Sequence, residues 1–187
     1  MTKKKAKRTS PTWSDVKSKL KDFDETGLLG LIKDLYATNK DNQAFLHSRL
    51  AVGDAPLAPY KKTISRWINP NLDRNQDISI SKAKKAISDY KKAVGAPAGM
   101  AELGIYYCEE VFVLLDDCGM DDESYYMSLV NMFEQAMKWV TTVPESDQAP
   151  LLERMENVRA AGQDLGYGVG SDFNDIWFEM GLTLDEE

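Results

Sequence analysis

Residues 97–118 read PAGMAELGIYYCEEVFVLLDDC. Met100, Gly104, Tyr107, Val111, Leu114 and Cys118 recur every three or four positions, the period of one helix face. Ile105, Tyr106, Phe112 and Val113 are apolar too and fall outside that stripe. A helix apolar over most of its circumference is covered on several sides. The spacing therefore predicts the central helix of an all-helical domain. Glu109 and Glu110 interrupt the apolar run, which excludes a membrane span here. At least one of the two is expected to reach solvent or a Lys or Arg, because a lone buried carboxylate is costly.

Upstream, Trp13, Val16 and Leu20 make the apolar stripe of a short helix over Thr12–Asp22. Asp24 or Thr26 opens the next, with Leu28, Leu31, Ile32 and Leu35 on one face. Asp41–Leu50 returns, packing through Phe45, Leu46 and Leu50. The two are expected to form an αα-hairpin that buries its apolar face against its neighbours. Pro56 and Pro59 start a helix through Tyr60, Ile64 and Trp67 that stops at Pro70. After a polar loop over 69–77, Ser79 or Ser81 caps a helix with Ile80, Ala83, Ile87, Tyr90 and Val94 inward. Gly95 and Pro97 end it.

Downstream, Asp121 or Asp122 caps a helix carrying Tyr126, Leu129, Val130, Phe133, Met137 and Val140 inward. Ser146 or Asp147 caps one with Leu151, Met155, Val158, Gly162 and Leu165 on its core face. GYGVG (166–170) then breaks the chain before a last helix over Asp172–Met180. The predicted fold is all-α, about nine helices in an irregular bundle or a short helical-repeat, solenoid-like domain. The predicted organisation is a disordered basic tail over 1–11, one helical domain over 12–183 and an acidic tail over 184–187.

Charge divides the chain. Residues 1–95 carry 20 Lys+Arg against 10 Asp+Glu, whereas residues 96–187 carry 3 against 20. The helical domain thus has a basic half (12–95) and an acidic half (96–183). Such asymmetry fits a nucleic-acid contact on the basic side. It fits equally two halves that attract each other, or two solvated faces of opposite sign.

The chemistry-bearing residues are sparse. His47 is the only histidine, which removes HExxH zinc sites and two-histidine ligand sets. A Ser–His or Cys–His pair would have to use it, and no nucleophile signature points to it. Asp116, Asp117, Asp121, Asp122 and Glu123 flank one turn without the spacing of a calcium loop. They read as a helix cap and solvated carboxylates rather than a metal site. Gly166, Gly168 and Gly170 follow no strand and match no phosphate-binding pattern, so they read as a hinge. No catalytic residue, metal or cofactor is therefore expected.

The strongest functional signal is basic. Lys84, Lys85, Lys91 and Lys92 repeat at seven-residue steps on one helix side, and Lys61, Lys62 and Arg66 form a strip on the preceding helix. If adjacent, the two strips make a positive surface suited to phosphates. The plainer account is a solvated exterior, or one facing the acidic half. No exposed aromatics interleave with these lysines, which speaks against base stacking.

The run GLLGLIKDLYATNKDNQAFLHSRL (27–50) resembles the opening of a bacterial family of short all-helical proteins of unknown function. KAKKAISDYKKAVG (82–95) and GYGVGSDFNDIWFEMG (166–181) are compatible with it. The resemblance implies a cytoplasmic bacterial protein and carries no catalytic residues. Cys108 and Cys118 would lie roughly 15 Å apart on one helix, beyond disulfide reach, so they read as thiols in a reducing compartment. The start MTKKKAKRTSP lacks the apolar core of a secretory signal. The expectation is a non-enzymatic helical module in the cytoplasm that binds another protein and no membrane. A nucleic-acid binder using the tail and basic helices is the alternative. The oligomeric state stays open.

Overall fold

The computed structural model describes residues 10–53 and 56–182. Most of the predicted basic tail and all of the acidic tail lie outside the described residues. Among the described residues there are nine α-helices, one 3-10 turn at Leu72–Arg74 and no strand. The helices are α1 Trp13–Leu20, α2 Glu25–Thr38, α3 Lys40–Arg49, α4 Ala58–Ile68 and α5 Ile80–Ala93. They continue with α6 Pro97–Asp117, α7 Glu123–Val140, α8 Glu145–Ala161 and α9 Val169–Glu179. None is long and apolar enough to cross a membrane.

The sequence reading took residues 12–183 as one domain. The chain divides into two compact units, Met1–Gln43 and Ala44–Glu187, with the boundary inside α3.

In the first unit the local signals act as expected and the packing does not. Thr12 and Asp15 close a capping box at the start of α1. Asp24 caps α2 by accepting from the Gly27 amide at 2.7 Å. Asn39 Oδ1 accepts from the Asn42 amide at 2.8 Å, and the Asn42 side chain donates back to the Leu35 carbonyl. Yet no residue of α1 or α2 is buried. Leu28, Leu31, Ile32 and Leu35 are exposed, as are Trp13 and Val16.

The second unit holds the core. Its α6 packs on α4, α5, α7 and α8, and α7 also meets α8 and α9. Every well-packed pair among the described helices is one or two steps apart along the chain. Up-down bundles and stacked helical arrays share that neighbour pattern. The central role of α6 follows from its sequence. It buries Met100, Leu103, Ile105, Tyr107, Cys108, Val111 and Leu114, residues spread around the helix. Gly104 lets α7 come close, because a Cβ there would lie 3.0 Å from both the Ala136 Cβ and the Trp139 ring. Val113, by contrast, is exposed and Cys118 half-buried.

Two helix starts differ from expectation. α8 begins at Glu145 after Pro144, so Ser146 and Asp147 fall in its first turn, where Asp147 suits the helix dipole. α9 begins at Val169, inside the glycine run, after Gly168 in the left-handed region at φ 78°.

Candidate interaction site

The two basic strips lie on packed helices, since α4 and α5 are neighbours. Their cations, however, are largely engaged. Lys61 Nζ donates to Glu102 Oε1 at 2.5 Å and stands 4.8 Å from the Tyr106 ring centre. Arg66 donates to the Asp77 carbonyl at 3.4 Å and lies over the Trp67 ring. Lys84 is half-buried, and burial lowers its pKa from the ordinary lysine value. Lys85 and Lys92 share Asp89, at 2.5 and 3.8 Å. Lys62 and Lys91 are exposed. Half-buried Trp67 carries a second cation, Lys82, 3.7 Å from its ring centre. This cation–aromatic cluster joins α4 to α5 and was not foreseen from sequence.

The basic and acidic halves meet through Lys61 and Glu102. Glu102 also accepts from Arg154 Nη1 at 2.5 Å. Arg154 then grips Glu109 in a fork, with Nε and Nη2 each 2.7 Å from a carboxylate oxygen. Glu110 accepts from the Asn69 side chain at 3.2 Å. Both mid-helix glutamates of α6 are thus satisfied. Burial alone would raise the Glu102 pKa, but the Arg154 and Lys61 hydrogen bonds outweigh it and hold the carboxyl below its ordinary range. The guanidinium of Arg154 is correspondingly held above its own, first by Glu109.

Beside Glu102 opens a shallow cleft of about 330 Å³, walled by Leu57, Gly99, Val143 and Leu151, with Asp147 at its lining. Two carboxylates therefore share one depression. Glu102 stays ionised in its ion pairs, which suits it to holding α4, α6 and α8 together and not to giving up a proton at neutral pH.

The acidic turn resolves into separate duties. Asp122 accepts from the Ser124 amide at the start of α7, and Asp121 accepts from the Tyr167 hydroxyl at 2.6 Å. Asp116 and Asp117 are exposed. Among the described residues no group of three or more His, Cys, Asp or Glu side chains is placed to hold a metal ion. His47 is half-buried on α3.

The most conspicuous surface is on α2. Leu29 is 59 % exposed, Leu35 51 % and Ile32 44 %, with Leu28, Leu31 and Tyr36 also open. At about 100° per residue these six side chains span a continuous arc of about 160°. Lys33, Asp34 and Ala37 occupy the other side. The period of the apolar residues was legible in the sequence. That they are exposed was not.

No family model matches the chain, and no curated protein or solved structure matches it either.

Proposed function

We propose that the protein is a non-enzymatic helical interaction module whose partner is a protein, bound through the apolar arc of α2. The observation that carries this is a helix with six large apolar residues exposed on one face and none buried. Isolated surface leucines are ordinary, whereas a contiguous apolar face on an ordered helix marks a binding surface. The free thiols Cys108 and Cys118 support a reducing, cytoplasmic setting.

A photo-reactive amino acid at position 31 tests this in the native host. Cross-linked protein is the expected product. Cross-linking to lipid or nucleic acid, or to nothing, defeats the reading.

The phosphate-binding alternative draws its support from Lys62, Lys91 and the Arg66–Trp67–Lys82 cluster. The engagement of Lys61, Lys85 and Lys92 by carboxylates subtracts from it. A salt titration of duplex binding decides, because phosphate contacts predict affinity that falls steeply with salt.

A further inference from the structure

We propose that a second copy of this chain covers α2, the two helices lying antiparallel about a two-fold axis at Leu31 and Ile32. The proposal rests on the reading of α2 as a protein-binding face and names its occupant.

Four observations carry it. First, α2 is 14 residues long and buries nothing, and a helix of that length is marginal in water without tertiary cover. Second, the arc is nearly uncharged. Glu25 sits at its N-terminal end, and Lys33 and Asp34 face away. With one cation against two anions, α2 lacks the basic polar face that draws amphipathic helices to anionic bilayers or nucleic acid.

Third, the apolar residues are spaced to pair with themselves. A two-fold axis midway between positions 31 and 32 sets Leu28 of one copy level with Leu35 of the other, and Leu31 level with Ile32. An isologous interface demands such self-complementarity: residue i meets j and j meets i. Fourth, the area suffices. The open parts of the six α2 residues, at ~200 Å² for a fully open large side chain, amount to roughly 1,000 Å² over two copies, the size a specific interface should clear.

The test uses the full chain. Sedimentation velocity over a wide concentration range should show a species of twice the chain mass, and Leu31→Glu should convert it to monomer. Leu31 contributes nothing to the buried core, so the unfolding transition of Ala44–Glu187 should stay where it was, which separates dissociation from misfolding. Orientation is read by cysteine pairing in a Cys118→Ser background. Leu28→Cys mixed with Leu35→Cys should give a mixed disulfide. Leu28→Cys alone should not, because its two copies stand roughly 10 Å apart along the antiparallel pair.

Efficient cross-linking of Leu28→Cys with itself overturns the antiparallel arrangement. A monomer at all concentrations overturns the second copy. If Leu31 of such a monomer cross-links to another protein, the protein-binding reading survives. If the monomer binds anionic vesicles through α2 instead, both fall.

Discussion

The hydroxyl oxygens of Tyr107 and Ser128 lie 2.5 Å apart, both side chains buried where α6 packs on α7. Burial holds the Tyr107 phenol well above its ordinary pKa, so it stays protonated despite the opposing effect of the Ser128 bond. Nearby, the buried Tyr125 hydroxyl donates to the Ile68 carbonyl at 3.0 Å, tying α7 to α4. Among the described residues no buried side-chain nitrogen or oxygen lacks a hydrogen-bond partner.

That matching predicts a specific asymmetry. Ser128→Ala strands the Tyr107 hydroxyl and should cost about 1–3 kcal/mol, the penalty of an unsatisfied buried group. Tyr107→Phe should cost a similar amount. The double variant should lose clearly less than the two losses combined, because it leaves no orphan. Urea unfolding of the four proteins measures this, and strict additivity would mean the bond is not formed.

Leu114 and the aspartates beyond it separate the core of α6 from its end. Leu114 is 2 % exposed, and its truncation to alanine should destabilise the fold by about 2–5 kcal/mol. Asp116 and Asp117 are exposed at a helix C-terminus with no basic residue in its last turn. Changing both to Asn should be neutral or stabilise by about 0.3–1 kcal/mol, by relieving their repulsion with the helix dipole. Thermal unfolding reads both. A mild loss at Leu114 would unseat α6 as the central helix, and a large loss at the aspartates would reveal a duty in the acidic turn.

How far the sequence could be read depends on the range of the interaction. α6 and α7 were legible because apolar residues at steps of three and four define both the helix and its buried face. Asp24 and Asp122 were legible because a cap acts within two or three residues. On α2 the same period was visible and misled. Periodicity tells which face is apolar and says nothing of what covers it, so Leu28, Ile32 and Leu35 were expected inward and are exposed. The Glu102–Arg154–Glu109 network joins residues some 45 to 52 positions apart, a pairing set only by how α6 and α8 pack. One signal was present. Residues 96–187 hold only Lys138, Arg154 and Arg159 against 20 carboxylates, and cations so scarce were the natural partners for Glu109.

Gly99 offers a test of close packing at the start of α6. A Cβ placed there would lie 2.0 Å from the Tyr90 hydroxyl oxygen and 2.4 Å from the ring carbon bearing it. Tyr90 is itself buried and sits edge-on to Tyr60, so its ring has little room to retreat. Gly→Ala in a helix ordinarily gains about 1 kcal/mol. Here the overpacking should reverse the sign, for a net loss of about 1–2 kcal/mol. In a Tyr90→Leu background the same substitution should become neutral or stabilising. Equal losses in both backgrounds would place the strain elsewhere.

Arg154 supplies the prediction with a pH signature. Its guanidinium bonds both Glu102 and Glu109, and Lys61 completes the shell of Glu102. Arg154→Met keeps an unbranched aliphatic stem of similar length and removes every charged donor. The loss should be about 2 kcal/mol at neutral pH, the scale of a charge-assisted hydrogen bond that leaves a carboxylate behind. The pH dependence follows from the depressed pKa of Glu102. A carboxyl whose folded pKa lies below its unfolded one contributes stability that is complete above the ordinary carboxylate range. That contribution fades as pH falls through the folded value. The wild-type chain should therefore lose stability on acidification, and Arg154→Met should lose less over the same interval, because its Glu102 keeps only Lys61. The two stability curves should converge at low pH. Glu102→Gln gives a second check, since it removes the titrating group while keeping an acceptor for Arg154, and should flatten the same interval. Parallel curves for wild type and Arg154→Met would show that the acid sensitivity arises at other carboxylates and that the fork on Glu109 is structural only.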